Sequence, residues 1–90
     1  MPTISLFFNI KILMFWNDHA PPHFHAAFVG QDDDDTIIDI RTLEVIQAGP
    51  LKRRALGLVL DWADLHRDEL LANWELVRRQ EPLNPIAPLE

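Results

Sequence analysis

A chain of 90 residues has room for one domain, and a hydrophobic content of 48% places it among globular rather than disordered sequences. It has no cysteine, which excludes disulfide staples, cysteine-ligated zinc, iron–sulfur clusters and thiol nucleophiles, and fits a cytoplasmic protein. A formal net charge of −6 argues against a general nucleic-acid binder, which normally carries a basic excess.

The longest apolar stretch, residues 4–16, is interrupted by Asn9 and Lys11. It is too short and too polar to span a bilayer and lacks the marks of a signal peptide, so no membrane association is expected. Within it, residues 6–16 alternate. Leu6, Phe8, Ile10, Ile12, Met14 and Trp16 fall on one side, and Phe7, Asn9, Lys11, Leu13 and Phe15 on the other. Period two with β-branched and aromatic residues predicts one long strand. A turn follows at residues 17–22, opened by Asn17-Asp18 and stiffened by Pro21-Pro22.

Residues 23–29 read as a second strand, with His23, His25, Ala27 and Val29 on one face and Phe24, Ala26 and Phe28 on the other. The four consecutive aspartates at 32–35 form a solvated loop. Residues 36–41 are a third strand, and residues 44–47 a short fourth reached through a tight turn at 41–43. Ala48-Gly49-Pro50 ends the strand pattern, and Pro is favoured at a helix start. From there to Arg79, Ala55, Val59, Trp62, Ala63, His66, Leu70, Trp74 and Val77 recur at helical spacing. One long helix is expected, with a bend admitted near residues 66–69, where the apolar stripe thins. Pro82, Pro85 and Pro88 predict an extended tail. The fold class is therefore α+β in a single domain, residues 1–90. It comprises a small antiparallel sheet of about four strands with one long C-terminal helix packed across it.

Three of the four histidines fall within seven residues, in Asp18-His19-Ala20-Pro21-Pro22-His23-Phe24-His25. His23 and His25 project from one strand face, and His19 can fold back from the turn. Neutral imidazoles ligate Zn, Ni, Cu or Fe, and three suffice for an open catalytic site. His19, His23 and His25 are thus the candidate ligands of a divalent metal such as zinc, with Asp18 or Asp39 as acceptor of a ring N–H. The alternative is that no cofactor binds, and that the rings are bonded separately to the backbone of a half-buried sheet.

Elsewhere, Lys52, Arg53 and Arg54 sit in the first helical turn, the wrong end of the dipole for cations. They form a candidate anion or partner contact, or are neutralised by the aspartates at 32–35. Trp62 and Trp74 read as core residues, with His66 between them. No glycine-rich phosphate loop, nucleophile elbow or zinc-protease helix motif occurs.

Several segments together resemble the bacterial domain-of-unknown-function 4160 family. They are Met1-Pro2-Thr3-Ile4-Ser5, Phe7-Phe8-Asn9-Ile10, residues 17–25, Ile38-Asp39-Ile40, Arg53-Arg54-Ala55-Leu56, Leu70-Leu71-Ala72-Asn73-Trp74 and Ile86-Ala87-Pro88-Leu89-Glu90. The resemblance covers essentially the whole chain. The departures are the acidic loop and Leu43, which stands where a turn glycine would be easier. The resemblance implies no activity. It implies a small protein partner encoded nearby, in the manner of a bacterial toxin–antitoxin pair.

The leading expectation is therefore a cytoplasmic protein-interaction module of a two-gene system, with enzymatic activity left open. The runner-up is a metal-dependent hydrolase or nuclease built on His19, His23 and His25. A homodimer is expected as well, because one helix covers one sheet face and leaves Phe7, Leu13 and Phe15, or the opposite set, on the other.

Overall fold

The computed structural model describes residues 3–16, 18–30 and 35–89. Met1, Pro2, Asn17, residues 31–34 and Glu90 lie outside it, and with them the expected turn opening at Asn17 and the solvated loop at Asp32, Asp33 and Asp34. Five strands form one antiparallel sheet in sequential order: β1 (Thr3–Phe7), β2 (Ile10–Leu13), β3 (His23–Phe28), β4 (Thr36–Asp39) and β5 (Val45–Gln47). Two helices follow, α1 (Arg53–Leu65) and α2 (Arg67–Arg78). The class is α+β, with five strands where about four were expected and two helices where one was.

The extra strand arises because the expected long strand is a hairpin. Phe7 pairs with Ile10, and the two residues between them, Phe8 and Asn9, have φ of 49° and 63°. Positive φ at both central positions is what a tight hairpin needs to match strand twist. The reversal splits the side-chain pattern. Ile10, Ile12 and Met14 enter the core together as the alternation predicts. Phe7 joins them, while Leu6 and Phe8 are left exposed at 55% and 59%. A register shift between Thr3 and Ser5 lets Ile4 reach the core as well as Phe7. Of the two sets from which a dimer was expected, Phe7 and Leu13 are buried and Phe15 half-buried within one chain, while Leu6, Phe8 and Trp16 of the opposite set are exposed.

The helical stripe packs on the sheet through Val59, Trp62, Ala63, Leu70, Trp74 and Val77, with Trp62 fully buried between Phe7 and Phe24. The helix breaks at His66, which has φ −116° and ψ 25°. Neither Gly nor Pro marks the break. Leu65 points into solvent at 72% exposure, and Asp68 and Glu69 in the first turn of α2 favour a new helix N-terminus there. The His66 N–H still reaches the carbonyls of Trp62 and Ala63, and its ring lies 2.6 Å from Glu69 Oε1.

Helix α2 ends in paired reverse bonds, Gln80 N–H to Val77 O and Glu81 N–H to Leu76 O, with Gln80 at φ 57°. Residues 81–89 then carry neither helix nor strand and return over the fold. The buried Asn73 amide donates to Asn84 O and accepts from Asn84 N–H, both at 2.9 Å. Trp62 Nε1–H donates to Ala87 O at 2.8 Å, and Ile86 N–H donates to Ile4 O at 2.8 Å. Leu43 has φ 61°, at the turn position where glycine would be easier. No described helix is long and apolar enough to cross a membrane.

Lys52 occupies the N-cap of α1 in extended conformation, makes no side-chain cap, and is followed by no acidic residue in the first turn. An N-cap carboxylate would accept a first-turn N–H and suit the dipole. Lys52→Asp should therefore raise stability by about 1 kcal/mol in urea unfolding, and an unchanged midpoint would contradict this.

Candidate metal centre

The site lies where the loop before β3 meets the start of that strand. His23 and His25 share a strand face, as period two dictates. His25 pairs across the sheet with Leu13 on one side and Ile37 on the other. The His23 ring lies between Trp74, at a centroid distance of 5.2 Å, and His25, at 5.3 Å. Phe15 packs edge-on against His25 at 4.5 Å. These aromatic neighbours reduce the side chains of His23 and His25 to 10% and 13% exposure.

The loop turns Asp18 toward both rings. A single oxygen, Asp18 Oδ2, lies 3.0 Å from His23 Nε2 and 3.2 Å from His25 Nε2. The far side of each ring is also held. His23 Nδ1 lies 2.7 Å from the Pro21 carbonyl oxygen, and His25 Nδ1 lies 3.2 Å from Asp35 Oδ2. Among the described residues, Asp18, His23 and His25 form a group whose ligand atoms all lie within 4.8 Å of one another.

The two rings have fewer protons than contacts when neutral. All four ring nitrogens face oxygen acceptors, but a neutral imidazole has only one N–H. Two neutral rings thus supply two donors for four contacts. Assigning the protons to Nδ1 satisfies Pro21 O and Asp35, and leaves the two Nε2 lone pairs facing Asp18 Oδ2. A divalent cation placed between them would take both lone pairs and the carboxylate oxygen at once.

His19 is exposed and outside the group that converges. Its neighbour Asp18 takes the third position. Asp39 is not an acceptor for either ring. Its Oδ1 takes the N–H groups of Arg41 and Thr42 and shapes the turn into β5. Asp18 meets both rings and Asp35 meets His25 Nδ1, and sequence reasoning missed Asp35 among the run of aspartates. Extending the β3–β4 register by one residue sets Asp35 opposite Ala27 and diagonal to His25, which was the available signal. Gly49 packs close beneath it. A Cβ there would lie 2.6 Å from the backbone of both Asp35 and Thr36. Lys52, Arg53 and Arg54 are exposed at the start of α1 and belong neither to this group nor to the cleft beside it.

That cleft, of about 470 Å³, is lined by Asp18, Ala20 and Pro22 on the loop side and by Leu71, Trp74, Glu75 and Arg78 of α2 on the other. No curated protein and no solved structure matches the chain. A family model does, over residues 9–75, which take in Asp18, His23, His25, Asp35 and Trp74, and so the chain belongs to the family described as domain of unknown function DUF4160.

Proposed function

We propose that Asp18, His23 and His25 bind one divalent transition metal, zinc in the first instance, and that the chain acts as a small metal-dependent hydrolase. The observation that carries this reading is the acceptor count: four ring nitrogens face oxygen acceptors, and a cation bound by both Nε2 atoms and Asp18 Oδ2 satisfies all of them. A tetrahedral metal at 2.0–2.1 Å from its ligands spaces them about 3.3 Å apart. The N···O separations of 3.0 and 3.2 Å already approach that edge. The Nδ1 contacts to Pro21 O and Asp35 are the outer hydrogen bonds that metal-bound imidazoles commonly make. Three protein ligands, rather than four, leave a position for water, which a metal activates as a nucleophile at neutral pH.

Two histidines and one carboxylate also suit ferrous iron. Loading the protein separately with Zn²⁺, Co²⁺ and Fe²⁺ and assaying ester, amide and phosphodiester reporters separates the chemistries. Hydrolysis by the zinc or cobalt form, absent from a folded His23→Ala variant, is the expected result. Metal-loaded protein inert toward all three reporters would contradict the hydrolase reading. The net charge of −6 disfavours nucleic acid as substrate.

A second reading, an interaction module working with a partner encoded nearby, is supported by the edge strand β5, where Val45 and Ile46 are 39% and 51% exposed. Co-purification with the neighbouring gene product tests it.

A further inference from the structure

The cleft beside the metal centre has one wall supplied by a single helix face, because Leu71, Trp74, Glu75 and Arg78 recur at three- and four-residue spacing. The opposite wall is the loop carrying Asp18. The cleft is therefore lined by Asp18, a proposed metal ligand, and by Trp74, which packs against the His23 ring. Its apolar lining is made by Ala20, Pro22, Leu71 and Trp74. Arg78 is the only cation among its described lining residues.

The Arg78 guanidinium meets Glu75 Oε2 at 3.4 Å with both side chains more than half exposed. A pair of that length and exposure holds the guanidinium weakly. Five N–H donors in a planar fork leave capacity for an incoming oxyanion, and guanidinium binds carboxylate and phosphate through two parallel bonds. The volume falls within the range of small-molecule sites.

We propose that this cleft binds the substrate of the metal centre, and that the substrate is a small molecule with an apolar or aromatic body and an oxyanion end. The oxyanion sits on Arg78, the body lies along Leu71 and Trp74, and the opposite end reaches Asp18. The placement of the reacting end rests on the metal reading; the contact with Arg78 does not.

The test uses the full chain loaded with Zn²⁺ and three probes: 3-phenylpropionate, phenyl phosphate and the neutral 3-phenylpropionamide. Binding is read from tryptophan fluorescence and amide NMR shifts. An anionic probe should bind about 10–100-fold more tightly than the amide, as charge-assisted hydrogen bonds allow. Arg78→Gln should abolish that preference, and Arg79→Gln, outside the cleft, should keep it. Preference for the carboxylate assigns acyl substrates, and preference for the phosphate assigns phosphate esters. Equal binding of charged and neutral probes, no binding of any probe, or a preference that survives Arg78→Gln would overturn the inference. Repeating the titration with chelator separates this result from the metal reading. An anion preference that persists without metal upholds the Arg78 contact even where no metal is taken up. Stoichiometric metal with no Arg78-dependent preference sinks the contact and leaves the metal centre standing.

Discussion

Replacing Trp62 with alanine should cost about 3–5 kcal/mol, the range for removing a large buried aromatic side chain. Trp62 is fully buried, with its ring 5.4 Å from that of Phe7 and 6.0 Å from that of Phe24. It joins the sheet to α1 and, through the 2.8 Å bond from Nε1 to Ala87 O, fixes the returning tail. Total stability for domains is about 5–15 kcal/mol, so this single change should consume about a fifth of it or more. Urea unfolding followed by far-UV circular dichroism measures the loss. Trp62→Phe should cost less than the alanine change while still leaving Ala87 O without its donor. A midpoint for Trp62→Ala within 1 kcal/mol of wild type would show that Trp62 does not hold the layers together.

The second large effect concerns the proposed metal site. His25→Ala removes a proposed ligand outright and should eliminate stoichiometric binding. Asp35→Ala leaves every ligand in place and removes only the acceptor at His25 Nδ1, so affinity should fall by about 10–100-fold, as for other outer partners of metal-bound histidine. Asp35→Asn keeps a carbonyl acceptor and should recover much of the loss. Isothermal titration with Zn²⁺ gives the three affinities, and the visible spectrum of the Co²⁺ form reports whether the ligand set is intact. Equal affinity in wild type and Asp35→Ala would remove Asp35 from the site.

The strands at 23–28, 36–39 and 45–47 were legible because their alternation is clean and their ends are marked by proline, the acidic run and the glycine at 49. The first hairpin was not legible, because Phe8-Asn9 lacks the Asn-Gly or Asp-Gly signature and the alternation continues through it. The helix break at His66 was visible only as a thinning of the apolar stripe. Its cause, a good second N-terminus at Asp68 and Glu69, competes with continuation by a margin that spacing does not reveal.

At the site, the shared face of His23 and His25 followed from period two alone. The choice of Asp18 over His19 did not, since the two are adjacent in an irregular loop and either could have turned inward. Asp35 required the β3–β4 register, and the cleft required knowing which side of α2 faces the loop.

Metal uptake by the unmodified chain tests whether Asp18, His23 and His25 hold a cation. Protein purified without a histidine tag, stripped with chelator and dialysed against micromolar Zn²⁺, Co²⁺, Ni²⁺ or Fe²⁺, should take up one equivalent per chain of at least one metal. That uptake should be lost in folded His23→Ala and His25→Ala variants and retained in His19→Ala. Folded wild-type protein that takes up no stoichiometric metal under these conditions would contradict metal binding, and would assign Asp18, His23, His25 and Asp35 to a purely structural hydrogen-bond network.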